Sequence, residues 1–464
     1  MNSKLWVRAA AYSLTAAFAL AASASYAKAP PEEADKLKNG TLTPSGADPN
    51  ANADNSIPKW EGGLRTPPAG YKGPPERFPN VFPDDKPLFT ITKENMEQYK
   101  DKLSVAHIAL FNKYPKTYKM NVYESKRTFA NPDFVYEWNH KNALNAELTN
   151  EGNGFQGAAI GIPFPIPKEG VDPVWNHKSR YRGESGRRWN IQTPVTVGGD
   201  YNPSVLQEDF WFWYNQKDMT PDRVGNLLVY FMQVRHAPAI IRGEVLLVHE
   251  MLDQIAEPRK AWLYNPGQRR VRLAPNVGHD NPGTGADGLR TNDQTDTFNG
   301  SLERYTWKLV GKKEVYIPYN AGEIHQAKYK YKDLVRKGHL NQDPARYELH
   351  RVWVVDSEVR PGTSHIYGRR TFYIDEDSWQ MAVVDVYDKR GQLWRAQEAH
   401  SLQSINPQSP DINMGTGSIL ESIYDLQSSR YLLQAMNNEH DETVAISFDK
   451  AYFTTGNMKS LAPK

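Results

Sequence analysis

Cysteine is absent from all 464 residues. Its absence removes disulfides, a thiolate nucleophile, thiolate metal sites and a lipid-modified cysteine at a processed N-terminus, so stability must come from burial. A chain of this length buries enough apolar surface to fold without covalent staples. An excess of one charge is missing too: 56 Lys and Arg stand against 54 Asp and Glu, a formal net of +2. Lys4 and Arg8 account for that excess. The remainder is neutral with its signs interspersed, which leaves no electrostatic footprint for nucleic acid or an anionic membrane. The pairs Arg187-Arg188 and Arg269-Arg270 read as solvated strand or turn faces.

Recognisable catalytic signatures are lacking as well. His249-Glu250 is followed by Met251-Leu252-Asp253, so the second histidine of a zinc-protease helix is not there. No Gly-x-Ser-x-Gly elbow, phosphate loop or dinucleotide fingerprint stands where strand and helix would support it. The chain therefore reads as a non-enzyme with no catalytic residue to name and no cofactor implied.

The N-terminus carries a secretory pattern. Basic Lys4 and Arg8 precede an apolar stretch from Ala9 to Ala22, and Ser25-Tyr26-Ala27 supplies small residues for a signal peptidase. The stretch is too short for a membrane span. Residues 1–27 are expected to be a signal peptide cleaved after Ala27, leaving a periplasmic protein that is soluble and not lipid-anchored.

Residues 28–90 form an extended arm, because Pro44, Pro49, Pro58, Pro67-Pro68, Pro74-Pro75, Pro79 and Pro83 deny it regular structure. Isolated Ile57, Trp60, Leu64, Tyr71, Phe78 and Phe82 read as anchors onto a folded body. Residues 91–464 are expected to be one large β-rich domain. A helix is predicted over Thr92–Tyr114, with Met96, Tyr99, Leu103, Leu110, Phe111 and Tyr114 at helical spacing and Pro115 ending it. Phe134–Trp138, Asn226–Val234 and Glu244–Leu252 read as strands. Hairpins are predicted about Asn265–Gln268, Asp375–Ser378, Asp388–Gly391 and Ser428-Ser429. Phe155–Trp175 and Asn276–Gly300 fit neither pattern, and long loops inside a compact domain are often functional.

Two kinds of residue stand out as binding candidates. Asp287, Asp293 and Asp296 crowd one polar loop and offer hard oxygen ligands suited to calcium, although Asp is also a default turn former. Twelve Trp and 25 Tyr make the chain rich in large rings, many of them on predicted strands. Trp262, Tyr264, Trp353, Trp379, Met381, Val383, Tyr387 and Trp394 are candidates to line a cavity for an apolar ligand; the alternative is that they fill a solid core. Strict alternation places Trp379, Met381, Val383 and Tyr387 on one strand face, so Met381→Asp is expected to abolish ligand retention while the fold survives.

Several stretches resemble a known secreted bacterial family, domain of unknown function 1329. They include Trp60-Glu-Gly-Gly63, Lys86-Pro-Leu-Phe-Thr-Ile-Thr92, Gly161-Ile-Pro-Phe-Pro165, Arg259-Lys-Ala-Trp-Leu-Tyr-Asn-Pro-Gly-Gln-Arg-Arg-Val271, Asp287-Gly-Leu-Arg290 and Tyr347-Glu-Leu-His-Arg-Val-Trp353. The resemblance implies a mainly β fold with a few helices: a large curved antiparallel sheet or half-open β-barrel like that of the periplasmic lipoprotein carrier and the outer-membrane lipoprotein receptor (LolA/LolB-like), with the Pro-rich arm at its N-terminus. It also implies a job, that of a periplasmic carrier or chaperone for a hydrophobic, lipid-like molecule. The implied partners are a resistance-nodulation-division (MMPL-like) exporter and an outer-membrane β-barrel protein. A ligand-free envelope scaffold is the alternative, and a hydrolase a more distant one.

Overall fold

The computed structural model describes residues 28–66, 80–274, 277, 279–405, 415–440 and 446–463. The expected signal peptide and the arm residues Pro67-Pro68, Tyr71, Pro74-Pro75, Phe78 and Pro79 lie outside the described residues. Among the described residues no helix is long and apolar enough to cross a membrane.

Four short strands come first. β1 (Phe89–Ile91) pairs with β2 (Met120–Val122), and β3 (Glu147–Thr149) with β4 (Gly154–Gln156). Two meanders then make up most of the fold. The first runs through β5 (Ser185–Val195), β6 (Ser204–Trp211), β7 (Leu227–Ala237), β8 (Val245–Met251), β9 (Lys260–Asn265) and β10 (Arg270–Leu273). The second runs through β11 (Tyr305–Pro318), β12 (Tyr347–Val359), β13 (Arg369–Asp375), β14 (Met381–Tyr387), β15 (Leu393–Ser404), β16 (Gly415–Asp425) and β17 (Arg430–Met436). Successive strands in each meander pair antiparallel. β17 lies antiparallel to β5, with Leu433 opposite Thr193, which fuses the meanders into one sheet of 15 strands that includes β1 and β2.

The predicted hairpins form where the sequence carries turn chemistry. Asp388 Oδ1 accepts from the amides of Arg390 and Gln392, and Gly391 takes φ 76° between β14 and β15. Asp425 accepts from the amides of Gln427 and Ser428 between β16 and β17. An Asx carboxylate that bonds the backbone two and three residues on sets such reversals locally.

The sheet is open, and this overturns the expected curved sheet or half-open barrel. Its strand order runs as a path from β1 to β10, with β11 off that path beside β12, and among the described residues β1, β10 and β11 each pair with one strand. The result is a mixed, mainly β fold with scattered helices and no closed or curled sheet. The edges suit an open sheet. β10 is exposed at all four residues and carries Arg270 and Arg272. β11 presents exposed Lys308, Lys312 and Lys313, and its register slips at Val310 between Leu309 and Gly311. Charged side chains and a bulge both discourage a further strand from adding.

Two helical expectations also change. Thr92–Tyr114 is not one helix: a 3₁₀ helix spans Met96–Lys102, Leu103 is extended, and an α-helix follows over Val105–Lys113. Ser104 restarts the chain as a cap, accepting from His107 N at 3.1 Å, while the buried Asp385 carboxylate on β14 accepts from Val105 N and Ala106 N. Phe134–Trp138 is not a strand but part of the helix Asp133–Asn145. Its buried positions Val135, Asn139, Asn142 and Ala143 follow helical spacing, so tertiary packing overrides the strand preference of its aromatics.

The second meander is covered on both faces. On one, Leu349, Ala396, Leu420 and Tyr424 pack with Ala106, Leu110 and Phe111 of the Val105–Lys113 helix. On the other, Phe372, Ile374, Met381, Val384 and Val386 pack with Val174 and Trp175 of the helix Val171–Ser179 and with Ala158–Ile160. The described part of the arm lies on its own chain. Trp379 Nε1 donates to Ser45 O at 3.0 Å and Arg127 Nη2 to Asp48 O at 2.8 Å. Gly46 is needed there, since a Cβ at that position would lie 1.9 Å from the Pro165 carbonyl oxygen. On the first meander, one face is covered by the C-terminal segment, where Phe453 and Met458 pack against Tyr230, Met232, Val245, Leu247 and Tyr264.

Candidate functional site: a pocket on the open face of the first meander

The opposite face of β6–β9 has no such cover. Strand alternation sends Val229, Phe231, Gln233 and Arg235 of β7, and Leu246, Val248 and Glu250 of β8, to this side. With Glu208 and Phe210 of β6 and Leu263 of β9 they line a cavity of about 470 Å³. The loop that follows β10 forms the facing wall through Pro282, Thr284, Arg290, Asn292, Thr295, Asp296 and Phe298. Lys178, Arg182, Ser418, Glu421 and Gln434 also line it.

Polarity changes across the strands. One cross-strand row reads Arg188, Glu208, Gln233, Leu246, Leu263 from β5 to β9, and the next reads Gly186, Phe210, Phe231, Val248, Ala261. Phe210, Val229, Phe231, Leu246 and Leu263 are only half-buried, because they face the cavity and not other side chains. The rings of Phe210 and Phe231 lie 5.1 Å apart, and the Arg188 guanidinium sits 5.2 Å over Phe210.

The polar end is held by charge-assisted hydrogen bonds. Glu208 accepts from Arg188 Nε at 2.8 Å, Asn190 Nδ2 at 2.8 Å and Gln233 Nε2 at 2.9 Å. Asp296 takes Arg180 Nη2 at 2.8 Å and Arg182 Nη1 at 2.5 Å; burial opposes its charge, but the two guanidiniums hold its carboxyl well below the usual range. Glu421 accepts from Gln434 Nε2 at 2.8 Å and Thr297 N at 3.1 Å, and burial pushes its carboxyl up. Lys178 donates to the Gly300 carbonyl at 2.7 Å, and burial lowers its ammonium to about 8. Burial lowers Arg290 as well; among the described residues its guanidinium reaches the Thr291 carbonyl and the Gln192 side chain.

None of the eight aromatic and apolar candidates lines this pocket. Trp262 and Tyr264 are on the other face of β9, toward the C-terminal segment. Trp379 and Met381 are fully buried in the cluster beneath the helix Val171–Ser179, with Trp353 and Trp394 packed against it. Trp353 and Trp379 stack at 6.4 Å, and Trp394 Nε1 donates to Asp425. Val383 belongs to a different cluster, with Val315 and Val352. The split has a local cause. The β13–β14 register slips between Tyr373–Val383 and Ile374–Met381, so the extra residue Ala382 breaks the alternation. Tyr387 lies under the Arg369 guanidinium at 4.9 Å.

The three aspartates are not brought together. Asp287 is exposed and pairs with Arg430. Asp293 is buried against His365 and Arg370. Asp296 serves Arg180 and Arg182. A different trio, His350, Asp375 and Asp377, is close enough to share a cation. However, Arg127 holds both oxygens of Asp377 at 2.7 and 2.8 Å, and His350 Nε2 faces Glu348 at 3.1 Å, so a metal would have to displace an ion pair.

Two readings of the sequence did reach the pocket. The loop singled out by its length supplies the facing wall, and the run Asn226–Val234 supplies β7. Arg187 and Arg188, read as solvated, instead pair with Asp209 and Glu208. The missed signal was within β7. One of its alternate sets stays apolar through Tyr230, Met232 and Val234, while the other turns polar at Gln233 and Arg235.

The family profile described as "Protein of unknown function (DUF1329)" matches residues 90–459. A Pseudomonas aeruginosa protein named "Uncharacterized protein PA3922" is 48% identical over 417 residues, covering 90% of each chain. Among solved structures, a DUF1329 family protein from Desulfovibrio piger is 12% identical with a TM-score of 0.40, over 60% of this chain and 92% of its own. A putative outer membrane lipoprotein-sorting protein domain from Vibrio parahaemolyticus is 11% identical with a TM-score of 0.40, over 61% and 94%.

Proposed function

From the premise that this chain belongs to the DUF1329 family, we propose that it is a periplasmic binding protein that carries one hydrophobic, lipid-like molecule in the pocket of its first meander. The observation that supports this is the half-buried row Phe210, Phe231, Leu246 and Leu263 around a cavity of about 470 Å³. Apolar side chains left unpacked beside a void of ligand size are a standing source of binding energy, at about 25 cal/mol per Å² covered. Loading buries that wall, and unloading requires a site that binds the molecule better. The periplasmic setting rests on the leader pattern of residues 1–27, and delivery from an exporter toward the outer membrane on the family resemblance.

The test is mass spectrometry of a solvent extract from protein purified without detergent from its native periplasm. A stoichiometric apolar or amphipathic molecule, lost in Phe231→Asp, is the expected result. A clean extract together with no uptake of added acyl compounds would overturn the reading and leave the scaffold alternative.

A further inference from the structure

Among the described residues seven arginines are buried: Arg127, Arg180, Arg235, Arg290, Arg346, Arg370 and Arg395. Six of them stand within 4 Å of a carboxylate. Arg290 has none. The buried lysine, Lys178, has none either. Both line the same cavity. A buried cation without a counter-charge is costly, and elsewhere this protein pairs its buried arginines.

The acids around Arg290 are engaged elsewhere. Glu208 is spent on Arg188, Asn190 and Gln233, and Glu421 on Gln434, Thr297 and Ser418. The guanidinium Nε of Arg290 has no partner, although the residue is only 6% exposed. Across the cavity, the cross-strand row turns from Arg188 and Glu208 to Leu246 and Leu263.

We infer that the pocket takes an amphiphile with an acidic head, a carboxylate or phosphate monoester, that pairs with Arg290 while its chain lies along Phe231, Leu246 and Leu263. The inference rests on the binding reading above and names the ligand class of the same site. The Arg290 fork matches the two oxygens of either head, and the planar geometry favours two parallel hydrogen bonds. Lys178 adds positive potential to the same cavity. A neutral chain of equal length would gain the apolar wall but leave Arg290 uncompensated.

The experiment is isothermal titration of the delipidated full mature protein with dodecanoic acid, dodecyl phosphate, dodecanol and inorganic phosphate. The two acidic amphiphiles are expected to bind at least tenfold more tightly than dodecanol, with that ratio collapsing toward one in Arg290→Met. Equal affinity for acid and alcohol, or a ratio unchanged in Arg290→Met, overturns the head-group assignment and leaves the binding reading standing. Inorganic phosphate binding as tightly as dodecyl phosphate would overturn it in favour of a free-anion site. No binding by any chain compound overturns both readings. If Arg290→Met fails to fold, the acid-to-alcohol ratio of the wild type still decides.

Discussion

The two meanders share one grammar of alternating strands and differ in how many of their faces are covered. In β14 every residue is buried. Several polar groups on and around that meander are paired within the protein: Arg370 with Asp293, Arg127 with Asp377, and Tyr373 with Asp385 at 2.9 Å. In β6–β9 one face is covered by the C-terminal segment and the other looks into a cavity, where Phe231 and Leu246 stay half-buried and Arg290 stays unpaired. Covering a sheet twice favours pairing its buried charges from within. A cavity left on one face keeps apolar and charged side chains there only partly partnered by protein.

Substitutions should separate the two regions. The largest effect is expected in the closed meander. Met381→Asp places a charge where the side chain is fully enclosed, so the fold itself should be lost, by more than about 4 kcal/mol. The sequence alone predicted that this variant would keep its fold. Circular dichroism and urea unfolding check it, and a folded Met381→Asp would break the contrast between the regions.

A smaller effect concerns Asp375, buried at the end of β13 and near Asp377. Burial, then the Asp377 charge, raise its carboxyl to about 7, above an unfolded value of about 4. The folded state therefore holds this proton more tightly than the unfolded one. Its contribution is fully present below pH of about 4 and is lost as pH rises through about 7. Asp375→Asn should flatten that slope, so that its stability relative to wild type is greater at pH 7.5 than at pH 4, as read by urea unfolding at both values.

The smallest stability effect is expected at the pocket wall. Phe231→Ala removes a half-buried ring that faces a void, so unfolding should change by about 1 kcal/mol, while affinity for dodecanoic acid falls about tenfold in the same titration used above. A large loss of stability in Phe231→Ala would show that the wall is core after all and would erase the difference between the two meanders.

Much of the architecture was legible because it is written locally. Asp388, Gly391 and Asp425 each bond or bend their own turn, so the hairpins could be placed from a handful of neighbouring residues. The helix breaks were less so. Ser104 is a cap in sequence, but the second acceptor for that helix, Asp385, comes from a strand 280 residues away. The pocket was harder still. Large rings marked the candidates, yet Trp379 and Met381 are sealed and the pocket is lined by Phe210, Phe231 and Leu246, which look no different in sequence.

By itself, then, the sequence determined the cysteine-free, charge-balanced, antiparallel character of the chain and the positions of its reversals, because composition and turn chemistry act over a few residues. Only the tertiary structure decided that the sheet stays open, that one meander is packed on both faces while the other keeps a cavity on one, and that among the described residues no carboxylate pairs with Arg290. Alternation assigns a side chain to a face, but what covers that face depends on segments hundreds of residues away, and a one-residue bulge such as that at Ala382 is enough to reverse it.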